Sequence, residues 1–267
     1  MTEIELPTDK MLARVEDGIG WMTYNNPERL NAMSMAMQQS VPIILEAFQN
    51  DPAVRVVVVT GAGGKAFVSG ADISKFESER ASADAVTAYN AATERVFEGL
   101  YNLGKPTICM IRGYCVGGGL GIAVCCDLRI CAEGSRFAIP AAKLGLGYGL
   151  SGIARLIDLV GPAFAKEIFF TSNRMSAEDA RMMGLVNRVV PRGELETFVK
   201  GYASTIADNA PLTIKAAKLA INAVVKDPEA RDVPAVQTAI AACFASEDYI
   251  EGRRAFMEKR KPRFKGR

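Results

Sequence analysis

The chain of 267 residues contains no histidine. That absence excludes Ser-His-Asp and Cys-His triads, HExxH zinc sites and every imidazole general base. Any proton must move through a carboxylate, Tyr, Cys, Lys or water. Six cysteines are present without one CxxC pair, so a Cys-only zinc site lacks its ligand spacing. Cys125 and Cys126 sit in an apolar run and read as buried thiols. No apolar run approaches the roughly 18 residues of a membrane helix, and MTEIELPTDK carries no apolar signal segment. A reducing, cytoplasmic setting is expected, with no membrane. Net charge is only +2, which argues against nucleic acid as a partner. One basic patch, EKRKPRFKGR, closes the chain.

What is present is ordinary globular composition, 49% apolar and 23% charged, with enough length for a sizeable core. Residues 11–16 and 19–24 read as a hairpin turned by Asp17-Gly18. Residues 33–48 have helical apolar spacing, with Ser34 as a cap and Pro42 expected to kink or split the helix. VRVVVVTG, residues 54–61, is β-branched without alternation and suits a strand buried on both faces. KPTICMIRG repeats that pattern, and a helix is expected between the two, over 83–103. From residue 161 onward helices dominate, at 162–170, 177–183, 195–207, 212–226 and two beyond, with a short strand at 187–191. The order implies an α/β fold.

Two glycine-rich loops follow the buried strands. GAGGKA, residues 61–66, formally matches a loose dinucleotide fingerprint. The fingerprint requires a helix to open at its glycines, and FVSG follows instead. The Walker pattern also fails, because Ala66 follows Lys65. The second loop, YCVGGGLGIAVCCD, places three glycines between a strand and a small apolar helix. The first N–H groups of a helix have no partner within it, and the helix dipole adds positive charge there. Such a start suits a phosphate or a carbonyl oxygen becoming an oxyanion. The same glycines also suit tight helix–strand packing.

AFVSGADI and KPTICMIRGYCVGGGLGIAVCCDLRICAEGSRFAIPAAKLGLGYG together closely resemble the crotonase superfamily, that of enoyl-CoA hydratases and isomerases. The likeness begins at NPERLNAMS, continues through RMSAEDARMMGLVNRVVP and ends at SEDYIEGRRAFMEKRKPRFKG. It implies a crotonase-like spiral of ββα turns over residues 1–200, with a helical C-terminal trimerisation region over 201–267. It implies an acyl-CoA thioester substrate held by the backbone N–H groups of Ala71 and Gly118. Coenzyme A would enter as part of the substrate, with no permanently bound cofactor and no metal. Ala71, Asp72, Ile73 and Ser74 would line the pantetheine, Arg29 to Ala32 the nucleotide end, and Phe256 and Lys259 the coenzyme A, often that of a neighbouring subunit. A homotrimer or dimer of trimers is implied.

The resemblance also exposes a gap. Hydratases of this family work on one water with two glutamates, at the positions of Gly121 and Ala141 here. Dienoyl-CoA isomerases use a third acidic position, which is Gly149 here. General acid–base groups contribute about 10²–10⁴-fold each, so ordinary hydration is expected to be very slow. Tyr148 remains as a catalytic candidate. KLGLGYGLSGIARL is similar to the corresponding loop of methylmalonyl-CoA decarboxylases, although those carry histidine where this chain has Ala71. The alternatives are therefore decarboxylation of a malonyl-type CoA using Tyr148, or a catalytically silent acyl-CoA-binding protein. A thioesterase is weaker, for want of a nucleophile. Asp72 and Asp127 read as structural, Glu94 and Glu98 as a solvated helix face, and Lys143 as a contact for a carboxylated substrate.

Overall fold

The computed structural model describes residues 4–72 and 82–267. Strands β1 (Met11–Glu16) and β2 (Ile19–Tyr24) form the expected antiparallel hairpin. Its turn, Asp17-Gly18, has positive φ at both residues, which is the turn that matches strand twist. Helix α1 (Met35–Asn50) is capped by Ser34, whose side chain accepts from Met37 N–H. It runs unbroken through Pro42, against the expectation of a split. Met37, Val41, Ile44, Leu45 and Phe48 are all buried along it, and that packing outweighs one lost hydrogen bond.

Three ββα units follow. They are β3 (Val56–Gly61), β4 (Ala66–Val68) and α2 (Ala83–Tyr101); β5 (Thr107–Ile111), β6 (Tyr114–Val116) and α3 (Gly118–Cys125); then β7 (Leu128–Ala132), β8 (Arg136–Ala138) and α4 (Leu150–Thr171). The first strand of each unit joins a six-stranded sheet, ordered β1-β2-β3-β5-β7-β9, with β9 at Arg188–Val190. The second strand joins a three-stranded sheet, β4-β6-β8. All pairings except β1–β2 are parallel. This is a spiral of ββα turns.

The VVVV run shows why its sequence lacks alternation. Val57 and Val59 enter the larger core toward α1 and α2, while Val56 and Val58 enter a second core on the opposite sheet face. Successive side chains of a strand point to opposite faces, and here both are covered. Helix α6 (Leu195–Asp208) closes the second face through Leu195, Val199 and Ala203. Between α4 and α6 lies the short α5 (Ala177–Met182), held by a capping box at Ser176.

Helix α4 is longer than the sequence pattern suggested. It begins at Leu150 and absorbs Gly161 as a kink at φ 72°. After α6, helices α7 (Pro211–Val224), α8 (Val233–Phe244) and α9 (Glu247–Met257) complete the chain. Among the described residues no helix is long and apolar enough to cross a membrane.

Candidate active site

Two backbone segments meet where the glycine loops converge. Met33 N–H donates to Gly70 O at 2.8 Å, and Asp72 N–H donates to Met33 O at 2.9 Å. Met33 is thereby bridged in parallel to Ala71. In such a bridge one residue bonds to both neighbours of the other, whose own N–H points the opposite way. Ala71 N–H therefore faces away from Met33. Gly70, at φ 108°, packs on the turn into α3: a Cβ there would lie 3.3 Å from Val116 O and 3.9 Å from Gly118 N.

The three consecutive glycines have three different reasons. Gly117 adopts φ 55°, ψ −119°, a left-handed conformation that only glycine takes without strain. Its own N–H is used on Ala138 O at 2.8 Å. Gly118 is the first residue of α3, so its N–H has no acceptor inside the helix. Gly119 is a packing residue: a Cβ would meet Val68 O at 2.1 Å. The tight-packing reading of the triple glycine thus holds at Gly119, while Gly118 begins the helix with an N–H that has no helical acceptor. Neither Ala71 N–H nor Gly118 N–H meets an acceptor among the described residues. Ala71, Asp72, Gly118 and Gly121 are half-buried amid buried neighbours.

The loop at Arg29 to Ala32 also comes here. Ser69 N–H donates to Leu30 O at 3.2 Å, and Asn31 Nδ2 donates to Ala62 O and Ala66 O at 3.0 and 2.9 Å. Arg29 is exposed and Ala32 buried. Ile73 and Ser74 lie outside the described residues. Phe256, 83% exposed, and Lys259 stand elsewhere, on α9 and just beyond it. Phe256 borders an apolar face shared by α7, α8 and α9 that includes Ile240, Phe244, Tyr249 and Met257.

The two positions without carboxylates differ in character. A Cβ on Gly121 would sit 2.4 Å from Phe97 Cζ, so the ring of α2 fills that room. Ala141 is buried and opens a 3-10 turn, Ala141–Lys143. Tyr148 precedes α4 and is 36% exposed, with its ring edge-on to Phe169 at 5.1 Å. Burial pushes the Cys125 thiol on α3 up to about 12, which leaves it protonated and unreactive.

Other sequence candidates have structural work. Asp127 accepts from Thr107 N–H at 2.7 Å, Thr107 Oγ1 at 3.0 Å and Lys218 Nζ at 2.8 Å, tying α3, β5 and α7 together. Lys143 Nζ donates to Ser172 O at 3.0 Å. Glu98 forms an ion pair with the buried Arg155, and Ser151 Oγ donates to Glu94 Oε2 at 3.0 Å. The face bearing both glutamates is therefore tied to α4 by these two contacts while staying partly open to solvent. Phe97 escaped the sequence reading. Its one signal is its place between Glu94 and Glu98 on that same face.

Residues 14–267 match the enoyl-CoA hydratase/isomerase family. The chain belongs to that family. A crotonyl-CoA hydratase of Syntrophomonas wolfei is 34% identical over 256 residues, 96% of this chain and 98% of its own. A carnitinyl-CoA dehydratase of Salmonella enteritidis is 37% identical, over 82% of this chain and 85% of its own. A solved enoyl-CoA hydratase/carnithine racemase from Magnetospirillum magneticum superposes with a TM-score of 0.92 at 34% identity, over 97% of each chain. Within the enoyl-CoA hydratase/isomerase family, this member has glycine at 121 and alanine at 141, neither of which can carry a proton.

Proposed function

We propose that this enoyl-CoA hydratase/isomerase family member binds an acyl-CoA thioester and stabilises its enolate, with the N–H groups of Ala71 and Gly118 forming the oxyanion hole. The observation that carries the reading is that the segment of Gly70 and Ala71 packs on the start of α3, where the Ala71 and Gly118 N–H groups have no acceptor among the described residues. The N-terminus of α3 adds partial positive charge at the same point. A preorganised donor of this kind is worth about 2.7–4 kcal/mol in the transition state. Backbone donors have no pKa to tune, so enolate chemistry does not require histidine.

Addition of water across a double bond is disfavoured. It needs a group to activate water and a group to protonate the α-carbon, and Gly121 and Ala141 supply neither. Phe97 fills the room beside Gly121, so that position is closed and not merely truncated. Loss of CO₂ from a malonyl-type CoA creates the enolate without a base, and Tyr148 beside α4 favours this as the second reading. Its hydroxyl would orient the leaving carboxylate or return a proton.

The test is a side-by-side assay of crotonyl-CoA hydration and of methylmalonyl-CoA and ethylmalonyl-CoA decarboxylation. Hydration should run at least about 10²-fold slower than that of the Syntrophomonas relative. Hydration at a comparable rate would refute the reading that the chain lacks the paired groups water addition needs. Failure to bind any acyl-CoA would refute the thioester reading itself. Tyr148→Phe should slow decarboxylation if this hydroxyl takes part, and an unchanged rate removes it.

A further inference from the structure

Helices α2, α3 and α4 are held in register by one buried arginine. Arg155 of α4 pairs with Glu98 of α2, places Nη1 3.3 Å from Cys125 Sγ of α3, and stacks over the Tyr101 ring at 4.6 Å. One turn toward the N-terminus, the same three helices bear Glu94, Gly121 and Ser151. The link repeats there: Ser151 Oγ donates to Glu94 Oε2 at 3.0 Å. Two links four residues apart on both helices mean that α2 and α4 run side by side in one direction. Phe97, between the two glutamates on α2, meets the Gly121 position of α3.

Glu94 lies one turn before Phe97, whose ring meets the Gly121 position, and so stands on the helix that packs along α3. It is half-buried. One carboxylate oxygen is held by Ser151, and no donor among the described residues bonds the other. A carboxylate that Gly121 cannot provide is present on the neighbouring helix α2.

We propose that Glu94, oriented by Ser151, is the catalytic residue that exchanges a proton with the α-carbon of the bound thioester. The inference rests on the thioester reading above. In the forward step the Glu94 carboxylate takes the α-proton. The C–H electron pair becomes the carbon–carbon double bond of the enolate, and the carbonyl pair moves onto the oxygen held by Ala71 and Gly118. In the reverse step the carboxylic acid returns a proton to the α-carbon, and the carbonyl re-forms. No electron acceptor is needed. One carboxylate suffices for this step, whereas hydration needs a second group for water.

The experiment is α-hydrogen exchange in deuterated water, followed by NMR on whichever of acetyl-, butyryl- and octanoyl-CoA binds most tightly. The wild-type protein should accelerate exchange. Glu94→Gln keeps an acceptor for Ser151 but cannot take the proton, and should slow exchange by about 10² or more with thioester affinity and thermal unfolding unchanged. Ser151→Ala should slow it by roughly two- to ten-fold. A merely structural role would move unfolding and leave exchange intact. Exchange that persists in Glu94→Gln, or thioester binding by the wild type without exchange, overturns the role of Glu94 and leaves the binding reading standing. No thioester binding by the wild type overturns both.

Discussion

Replacing Gly121 by alanine adds one methyl group in the middle of α3. The added Cβ would lie 2.4 Å from Phe97 Cζ and about 3.1 and 3.2 Å from the adjoining ring carbons, against 3.4 Å or more for ordinary contact. The ring must retreat by about 1 Å. Phe97 is buried in the main core cluster with Val96, Leu100 and Leu120, so it has little room to do so. Overpacking of this kind costs about 1–3 kcal/mol. Against it stands the helix preference for Ala over Gly, about 1 kcal/mol. The net expectation is a loss of about 0–2 kcal/mol. Gly201 is the control: it lies inside α6, and a Cβ there meets nothing within 4 Å. Gly201→Ala should stabilise by about 1 kcal/mol, so the two substitutions should have opposite signs. Denaturant unfolding at one fixed protein concentration reads the difference. Phe97→Leu made together with Gly121→Ala should recover part of the loss, as neighbours that share a contact do not add independently. If Gly121→Ala stabilises as much as Gly201→Ala, and Phe97→Leu shows no coupling, the ring does not fill that room and the argument against hydration loses its steric half.

Two further outcomes follow from the geometry. Proline is tolerated at the first residue of a helix because its missing N–H has no helical partner, so Gly118→Pro removes one proposed donor with little else. Turnover should fall by about 10²–10³ relative to Gly118→Ala, which controls for the Cβ against Met33 Cε at 2.5 Å; equal rates in the two variants would remove Gly118 from the site. At the other end of the chain, Arg260 and the Arg263 backbone N–H hold the Glu251 carboxyl down to about 2 from an ordinary 4.5. A carboxylate whose folded pKa is depressed stabilises fully above its unfolded value and loses that contribution as pH falls toward the folded one. Hydrogen-exchange protection of residues 258–267 should therefore fade between pH 4.5 and about 2. Glu251→Gln should show it reduced already at neutral pH, and identical profiles for the two proteins would contradict the assignment.

Local chemistry made much of the fold readable. Asp17-Gly18 announces its hairpin, Ser34 its helix, and the unbroken valines of β3 a strand covered on both sides. The glycine triplet was legible as a special place, but its division of labour was not. Gly119 is explained by a carbonyl of β4 that is remote in sequence, and Gly117 by the positive φ of the turn into α3. Pro42 does not split its helix, because helix propensity is weighed against burial that only the folded chain supplies. The start of α4 was hidden because GLGYGLSG carries the glycines of a loop, while Ser151 and Arg155 are anchored to Glu94 and Glu98 across 57 residues. No local pattern encodes such a pairing, so a face with two glutamates looked like one meant for water.

The central claim is that two main-chain N–H groups grip the thioester oxygen. Infrared difference spectroscopy of an acyl-CoA carrying ¹³C at the thioester carbonyl measures that grip directly. On binding, the carbonyl stretch should move to lower frequency, and the shift should shrink in Gly118→Pro but persist in Gly118→Ala. A bound thioester whose carbonyl stretch stays where it lies in water, or shifts equally in both variants, would contradict the account.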